Sequence, residues 1–546
     1  MADTLRGIGV SPGLAAGPAY RVAAPPQLPA PGPVADPDVE LARALDALAA
    51  VAADLAARAA AAQPRNATAA EVLQAQVLMV QDPELAEAVT DAVRGGAGAA
   101  HAIAAALAVH RQAFQEAGGY LAERIADLDD IRDRAVAVCL GLPMPGIPSP
   151  GHPFVLVARD LAPADTAGLD PAGVLALVTE SGGPTSHTAI LARALGLPAV
   201  VRCANALDVP DGTLVAVDGG TGQVDVGIDE DGAAATRAAE QRRRQRIGRG
   251  SGPGRTADGH RVALLANIGS ARDLPPDADC EGVGLFRTEL LYLDRTDAPG
   301  AGEQIAAYTE VFAALPGRKV VVRTLDAGAD KPLPFLGLPL EPNPALGVRG
   351  LRVGQQRPAV LRTQLHAIAE AARTTRAEVW VMAPMVAIPG EAAWFAAECH
   401  AAGLPVAGAM VEVPAAALQA SALLREVDFL SIGTNDLSQY AFAADRMCGE
   451  LAELLDPWQP ALLALIAVCA GAGRAAGKPV GVCGEAAADP ALAVVLAGLG
   501  VTSLSMSPRS IPEVRDALAA HTRADCKRLA SAALAAADAA VARAVI

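Results

Sequence analysis

The stretch that sets the fold of its region is SGGPTSHTAILAR, at residues 181–193. An apolar segment, Gly173–Glu180, precedes it and predicts a short buried strand. A helical pattern follows at Ala189–Leu195 and ends at Gly196, with Pro198 just beyond. The sequence therefore predicts a strand, a glycine-rich turn and a helix.

A histidine, His187, lies in the first turn of that helix, after Thr185 or Ser186 as the N-cap. A helix N-terminus offers free N–H groups and the positive end of the helix dipole, so it suits a phosphoryl group or another anion. The same field disfavours imidazolium, so we expect a neutral His187 whose ring nitrogen is available as a nucleophile. A purely structural role at the helix start is the alternative, and this stretch alone leaves it open.

The composition of the 546 residues narrows the class of protein. Hydrophobic residues make up 52% of the chain and aromatic residues 3%, so sizeable cores built mainly from Ala, Leu and Val are expected. The net charge of −16 argues against a general nucleic-acid or anionic-membrane binder. The eight scattered cysteines include no CxxC pair, and no segment is long and apolar enough to span a membrane. We therefore expect a cytoplasmic protein with no nucleic-acid partner and no membrane insertion.

The N-terminal half predicts an α/β domain interrupted by helices. Residues 6–23 hold two apolar runs broken by Gly and Pro, which predict two strands. From Asp38 the chain becomes alanine-rich, with leucines at helical spacing, and further helices are predicted at 68–82, 83–94, 99–117 and 118–139. Residues 36–144 are therefore predicted to form a helical bundle of two hairpins. It is inserted into one small α/β domain made of residues 1–35 and 145–229.

Residues 230–259 are predicted to connect this domain to the rest of the chain. The polar, Ala- and Arg-rich stretch 230–248 predicts a solvated linker helix. A nucleic-acid patch is the alternative, but the basic run has no aromatic residues and lies in an acidic chain. The Gly/Pro/Ser-rich stretch 250–259 predicts a hinge.

Eight short apolar runs follow the hinge, and helical patterns separate most of them. The runs are Arg261–Ile268, Gly282–Phe286, Lys319–Val322, Glu378–Met382, Pro405–Val411, Asp428–Ile432, Pro479–Val482 and Ser503–Met506. Eight β/α units over residues 260–546 fit a (β/α)8 TIM barrel, whose active site lies at the C-terminal ends of the strands. The predicted fold class is thus α/β multidomain: an α/β domain with an inserted helical bundle, followed by a C-terminal (β/α)8 barrel.

Polar and charged residues stand at six of these strand ends. They are Asn267; Arg287 to Glu289; Arg323, with Asp326, Asp330 and Lys331 following; Glu412; Asn435 and Asp436; and Cys483 to Glu485. Three more arginines lie on loops that can reach the same mouth, namely Arg349, Arg352 and Arg446. Arginine forks bind phosphate and carboxylate, and Glu412 with Asp436 can hold Mg²⁺ whose other ligands are substrate oxygens. The pattern predicts a site for a small, multiply charged anion, with a proton-transfer role for Cys483 and inert packing as its alternative.

These motifs resemble, in order and over nearly the whole chain, those of Enzyme I of the phosphoenolpyruvate-dependent sugar phosphotransferase system. GGPTSHT at 182–188 is similar to the family's phosphohistidine signature, although GGxTSH also occurs in pyruvate phosphate dikinases and PEP synthases. The barrel motifs are GLFRTE (284–289), NPALG (343–347), VEVP (411–414), SIGTNDL (431–437) and CGE (483–485).

The resemblance implies a function and a set of site residues. His187 would take the phosphoryl group of phosphoenolpyruvate (PEP) and pass it to the phosphocarrier protein HPr, releasing pyruvate as the first step of sugar uptake, with Cys483 as the proton donor to the enolate. Mg²⁺ would be held by Glu412 and Asp436. The residues expected to bind PEP are Arg287, Arg323, Arg349, Arg446, Lys331, Asn435 and Asp436. The helical insert would dock HPr, and the barrel would form a homodimer.

One residue departs from the signature, and two alternative functions remain open. Pro184 is compatible with a helix start but removes a side-chain phosphate contact, which bears on the rate of transfer. A PEP synthase or dikinase would need an ATP-grasp domain, yet residues 36–144 contain no Gly-rich phosphate loop. A regulatory phosphoacceptor whose barrel only senses PEP would not need Cys483, the carboxylates and the arginines together.

Overall fold

The chain forms two compact units, Met1–Glu240 and Gln241–Ile546. The computed structural model describes residues 3–22, 26–32, 34–62, 67–117, 125–148, 150–161, 169, 173–183, 186–275, 278–293, 295, 297–328, 333–339, 341–445, 451 and 453–546. Over these residues the first unit contains a mixed sheet with a helical insert, and the second contains a closed parallel barrel. The predicted fold class is confirmed.

Eight described strands make up the sheet of the first unit. They are β1 (Asp3–Arg6), β2 (Ile8–Ser11), β3 (Leu14–Arg21), β4 (Phe154–Ala158), β5 (Val174–Thr179), β6 (Ala199–Val201), β7 (Leu214–Asp218) and β8 (Gln223–Val226). Their spatial order is β1-β8-β7-β3-β4-β5-β6-β2, with β3 to β6 parallel. Strands β2 and β3 are the two predicted within residues 6–23. Strand β1 was not predicted, because it is short and mostly exposed and pairs with β8 at the sheet edge.

The sheet is buried on both faces. Consecutive side chains of a strand point to opposite faces, so β4, which is buried at every residue, supplies both cores. Leu156 packs with Ala192 of the helix His187–Leu195 on one side. Val155 enters the second core on the other side. This double burial explains why the strand reads as a continuous apolar run.

Helices fill the chain between β3 and β4. Their bounds are Pro37–Ala62, Ala67–Val80, Pro83–Arg94, Ala99–Ala117 and Ile125–Cys139. Leu48, Val51 and Leu55 form a buried stripe on the first helix and pack with residues of the later helices, including Ile103 and Ile131. The helices lie where the sequence predicts them, except that residues 118–124 fall outside the described residues.

The second unit is a closed barrel of eight parallel strands. They are β9 (Ala263–Ile268), β10 (Gly282–Arg287), β11 (Lys319–Arg323), β12 (Glu378–Ala383), β13 (Ala407–Val411), β14 (Phe429–Ile432), β15 (Val480–Val482) and β16 (Ser503–Met506). Each strand pairs with the next, and β16 pairs with β9 to close the ring. Every predicted apolar run corresponds to one strand, with bounds that differ by at most two residues.

Helices cover the outside of the barrel. Their bounds are Ala301–Ala313, Leu351–Gln356, Pro358–Thr374, Pro389–Ala401, Pro414–Leu418, Ala420–Glu426, Thr434–Phe442, Pro460–Ala476, Pro490–Leu499, Ile511–Ala519, Arg523–Leu534 and Ala539–Arg543. Outward-facing strand residues such as Val320 and Val381 pack with helix residues such as Leu365 and Phe395 in one large core. Among the described residues of the whole chain, no helix combines the length and the apolar character that crossing a membrane requires.

The helix Glu230–Arg249 joins the two units, and the unit boundary falls within it. The buried carboxylate of Glu240 accepts a hydrogen bond from the Leu14 N–H at 3.0 Å, so the first part of the helix belongs with the sheet. Arg243 donates to Glu513 at 2.8 Å, so the second part belongs with the barrel. A helix is therefore present where the sequence predicts one, and its role as a linker stays a prediction.

Residues 250–259, predicted to be a hinge, bind to the rest of the second unit through hydrogen bonds. Arg515 donates to the carbonyls of Gly250 and Gly252 at 3.2 and 3.0 Å. The Gly252 N–H donates to Asp279 at 2.7 Å. The hinge role stays a prediction, and these contacts show which bonds a bend at this point would break.

Candidate active site

The strand ends of the barrel bring most of the predicted site residues to one mouth. Arg287 is the last residue of β10, and Arg323 the last of β11. Glu412 and Cys483 follow directly after β13 and β15, and Asp436 lies in the first turn of the helix that follows β14. Because all eight strands are parallel, these residues share the C-terminal rim.

Arg323 is a buried guanidinium among three carboxylates. Its nitrogens lie 3.1 Å from Glu289, 3.5 Å from Asp326 and 3.8 Å from Glu412. Burial opposes the charged form, but the three carboxylates outweigh it and raise the pKa of Arg323 above its ordinary value. Arg323 is therefore permanently cationic, and its buried Nε has no hydrogen-bond partner among the described residues. A ligand oxygen would satisfy this nitrogen.

Arg349 is almost completely buried, with 1% of its surface exposed. Its Nε and Nη2 form a fork on the two oxygens of Asp326, each at 3.1 Å. Its Nη1 donates to Asp436 at 3.2 Å. A predicted PEP-binding arginine is thus already engaged with two carboxylates. Its contribution to an anion site is a positive charge held in place by Asp326, which was not among the predicted site residues.

Glu412 is a fully buried carboxylate that a bound cation would stabilise. Its Oε2 accepts the Met385 N–H at 2.8 Å, whereas its buried Oε1 has no hydrogen-bond partner within the described part of the chain. Burial raises the pKa of Glu412 well above its ordinary range, and the nearby charges of Asp436 and Asp326 raise it further against the opposing effect of Arg323. A bound cation would stabilise the ionised carboxylate of Glu412 and so lower this pKa.

Among the described residues of the mouth, carboxylates outnumber guanidiniums, and a divalent cation would offset this excess of negative charge. Four carboxylates, Glu289, Asp326, Glu412 and Asp436, surround the guanidiniums of Arg323 and Arg349. No group of three or more His, Cys, Asp or Glu side chains is placed to hold a metal within the described ranges. Two carboxylates plus substrate oxygens are, however, the usual way in which proteins bind Mg²⁺. The donor set fits the ion only when the substrate is present.

Cys483 lies at the bottom of this mouth with 2% of its surface exposed. Burial raises the pKa of its thiol to about 11, against the opposing effects of a hydrogen bond from Ser431 and the charges of Arg323 and Arg287. The Sγ lies 3.5 Å from the Ile432 carbonyl, which accepts the thiol proton. The thiol is therefore protonated at neutral pH, which is the form that an acid needs.

Hydrogen bonds fix the backbone around Cys483. Asn267 Nδ2 donates to the Cys483 carbonyl at 3.0 Å, and Asn435 Oδ1 accepts the Glu485 N–H at 3.2 Å. Asn435, predicted to bind substrate directly, thus also holds the loop that carries the thiol. Gly484 permits a close approach, since a Cβ there would lie 1.9 Å from the Thr434 hydroxyl.

A buried polar network behind β10 and β11 holds the chain that bears Arg323. Thr288 donates to the Arg323 carbonyl at 2.9 Å. Gln364 donates to Thr288 at 3.0 Å and to the hydroxyl of Tyr308 at 3.1 Å, and its oxygen accepts the Leu325 N–H at 2.9 Å. Sequence reasoning missed Gln364, because a single glutamine on a helix carries no signal of its tertiary contacts.

The stretch of the first unit that resembles the phosphohistidine signature has a strand before it and a helix at its end, as predicted. Ser186 is the N-cap, and its hydroxyl accepts the Ala189 N–H at 3.3 Å. His187 is the first helical residue, and its side chain lies outside the described structure. The next residue, Thr188, is fully buried and donates to Asp160 at 3.0 Å. Gly196 ends the helix in the left-handed conformation at φ 68°, as its position in the sequence predicts.

The structure does not place every predicted site residue. It brings Arg323, Arg349, Glu412, Asp436 and Cys483 together, with Asn435 beside them, and leaves Arg287 exposed at the rim. Lys331, Arg446 and Pro184 lie outside the described residues, so their roles stay predictions.

Comparison with known proteins identifies the family of the chain. Three family profiles match in order: PEP-utilising enzyme N-terminal (residues 6–124), mobile domain (residues 150–222) and PEP-binding domain (residues 244–523). By the family profiles that it matches, the chain is thus a PEP-utilising enzyme.

Curated relatives of full length narrow the class. The chain is 55% identical to the phosphoenolpyruvate-protein phosphotransferase of Streptomyces coelicolor, over 100% of this chain and 98% of the relative. It is 43% identical to the enzyme of the same name from Haloferax volcanii, over 84% of each chain. It is 37% identical to that of Staphylococcus carnosus, over 97% and 96% of the two chains. The chain belongs to the phosphoenolpyruvate-protein phosphotransferases, Enzyme I of the sugar phosphotransferase system, and is an enzyme of that activity.

Proposed function

We propose that the chain transfers the phosphoryl group of PEP to its own His187 and then to the histidine of HPr, releasing pyruvate as the first step of sugar uptake. The observation that carries the proposal is the barrel mouth, where buried guanidiniums, a carboxylate in need of a cation and a protonated buried thiol converge. The guanidiniums complement the negative charges of PEP. The thiol can supply the proton that converts its enolate into pyruvate.

Substrate binding rests on the arginines. Arg323 offers a buried cation with an unsatisfied Nε, and exposed Arg287 stands at the end of the adjacent strand. Guanidinium forks hold phosphate and carboxylate groups in a fixed orientation. Arg349 adds a buried positive charge to the mouth, and Arg446 and Lys331 are proposed to complete the site. The mouth thereby positions PEP and neutralises its charge, which is most of what phosphoryl transfer requires.

Glu412 and Asp436 are proposed to hold Mg²⁺. The orphaned Oε1 of Glu412 and its raised pKa are the observations that fit a cation here. When bound, the ion would supply charge neutralisation at the phosphate and enolate oxygens. The protein side chains fix the positions of these oxygens in the bound substrate.

In the transfer step, the ring nitrogen of His187 attacks phosphorus in line, and the bond between phosphorus and the enol oxygen breaks. The electron pair stays on the enolate oxygen. Cys483 then gives its thiol proton to C3, which forms pyruvate and leaves a thiolate. The pKa of about 11 keeps the thiol protonated until the enolate, a stronger base at carbon, appears.

The remaining assignments concern whole domains. We propose that residues 1–35 with 145–229 carry the phosphohistidine, that the insert 36–144 docks HPr, and that the barrel 260–546 binds PEP and dimerises. Residues 230–259 would let His187 alternate between PEP and HPr. We place the protein in the cytoplasm, where PEP and HPr are found.

Labelled PEP tests the central assignment. Incubation with PEP labelled in its phosphoryl group and with Mg²⁺ should label the wild-type chain without ATP, and His187→Ala should abolish the label. His152→Ala is the matched control, since His152 is an exposed histidine of the same unit. Label that persists in His187→Ala would sink the assignment. Labelling that requires ATP would favour the dikinase alternative, for which the helical insert offers no support.

A further inference from the structure

The interior of the barrel is unevenly filled. Such interiors are normally packed with bulky apolar side chains, and Val321, Met382 and Met410 fill one side. The opposite side is formed by β10 and β14 to β16, which contribute the small residues Gly284, Ser431, Gly481, Ser503 and Ser505. A cavity of about 30 Å³ results, which has room for about two water molecules.

Two glycines keep this space open to hydroxyl groups. A Cβ at Gly481 would lie 2.4 Å from the Ser503 hydroxyl, and a Cβ at Gly284 would lie 2.5 Å from the Ser505 hydroxyl. Neither glycine has a positive φ, so local backbone conformation does not require them. What they provide is room for polar atoms inside a barrel that is otherwise apolar at this depth.

The cavity extends from the lower end of the barrel to Ser431, and Ser431 connects it to the thiol of Cys483. At the upper end the buried Ser431 lines the cavity, and its hydroxyl hydrogen-bonds the Cys483 sulfur. At the lower end lie Ser503 and Lys319, both partly exposed at the N-terminal starts of their strands. The Lys319 Nζ lies 3.5 Å from the centre of the Trp380 ring and offers N–H donors to water. Hydroxyls and an ammonium supply the polar partners that buried water needs.

We infer that this cavity is a proton route that returns a proton to Cys483 from the end of the barrel opposite the substrate. The inference rests on the proposed function, in which Cys483 becomes a thiolate once per turnover. The upper side of the thiol faces the mouth that holds product and charged side chains. A route through Ser431 and cavity water reaches solvent without crossing that mouth.

The steps balance. The thiolate of Cys483 takes the hydroxyl proton of Ser431 and re-forms S–H. Ser431 takes a proton from a cavity water in the same concerted shift, and that water takes one from the next water. The last donor is solvent at the lower end. The net change is one proton moved from solvent to sulfur, with no redox step.

Rapid-quench kinetics of the full-length enzyme with PEP, Mg²⁺ and HPr test the route. Ser431→Ala removes the relay hydroxyl. Ser503→Val fills the lower end with a residue that favours strands and does not touch Cys483. In Ser503→Val the first pyruvate should form at the wild-type rate, because the thiol starts protonated, and in Ser431→Ala the first turnover should be faster than the later ones. Later turnovers should slow by roughly tenfold or more, with a larger rate decrease in D₂O, since a positioned proton-transfer group contributes about 10²–10⁴-fold.

Controls separate this route from other roles. Ser421→Ala, at an exposed serine on the helix Ala420–Glu426, should match wild type throughout. If the first turnover of Ser431→Ala were as slow as later ones, Ser431 would only orient the thiol, and the route would be overturned. Wild-type later turnovers in both variants would overturn it as well. Cys483→Ala tests the underlying function separately: an undiminished first turnover there would refute the proton donor itself.

Discussion

The buried fork between Arg349 and Asp326 leads to a quantitative prediction. Asp326→Asn keeps the size of the side chain but replaces one acceptor by an NH₂ group that faces a guanidinium donor, and it removes the charge. Both 3.1 Å contacts lie in a region where the two residues are 1% exposed. Removing one partner of such a pair lowers the free energy of unfolding by about 3–5 kcal/mol. We expect about 3 kcal/mol here, because Asp436 still contacts Arg349.

The assay is thermal unfolding of the full chain by scanning calorimetry, with the barrel transition identified by its shift on adding PEP and Mg²⁺. A loss of about 3 kcal/mol should lower the midpoint of that transition by roughly 5 °C for a unit of this size. Glu398→Gln is the control, because it breaks a fork of similar geometry with Arg362 at the surface and should shift the midpoint little.

A double variant tests the reasoning more sharply. Asp326→Leu combined with Arg349→Met replaces the pair by apolar residues, so the midpoint should recover part of the loss, limited by the contact that Asp436 loses with Arg349, while the KM for PEP stays strongly raised. A shift of less than about 2 °C in Asp326→Asn would refute the claim that the fork stabilises the barrel. Normal PEP binding by the double variant would refute the claim that Arg349 serves the site.

Two further predictions concern neighbouring groups. Since burial beside Asp436 raises the pKa of Glu412, binding of Mg²⁺ with PEP should release a proton near neutral pH, seen with an indicator dye in weak buffer. Glu412→Gln should abolish this release, and a wild-type enzyme that releases none would contradict the assigned ligand. Gln364→Leu leaves the buried Leu325 N–H without its acceptor, which should cost about 1–3 kcal/mol and raise the KM for PEP. Exposed Gln419→Leu is its control, and an unchanged KM would limit Gln364 to a structural role.

The sequence predicted the barrel accurately because its strands are buried on both faces. Short apolar runs bounded by glycine and by helical patterns indicate buried strands rather than helices. The ends of the strands followed from the ends of these runs. Strand β1 escaped prediction because Asp3–Arg6 is polar and owes its conformation to pairing with β8. An edge strand of this kind has no pattern of its own.

The site was predictable as a set of residues but not as a set of contacts. Strand-end position placed Glu412 and Cys483 correctly at the mouth, since register alone decides which rim they occupy. Which arginine faces substrate and which is already paired depends on side-chain direction across distant segments. Asp326 could therefore be seen as a nearby charge, while its fork with Arg349 could not. The Ser431 cavity likewise arises from small residues on four strands, none of which is informative alone.

The position of the helical insert has a consequence for how the chain folds. Strands β3 and β4 are parallel neighbours, yet residues 22–153 separate them in sequence. An unstructured loop of that length costs about 2 kcal/mol more to close than a minimal crossover connection. If the bundle folds first, its two ends are already fixed and most of that cost disappears. The sheet that carries His187 should thus assemble after the bundle during synthesis, and core substitutions in the helices should slow the acquisition of phosphoryl-acceptor competence even though they lie far from the histidine in sequence.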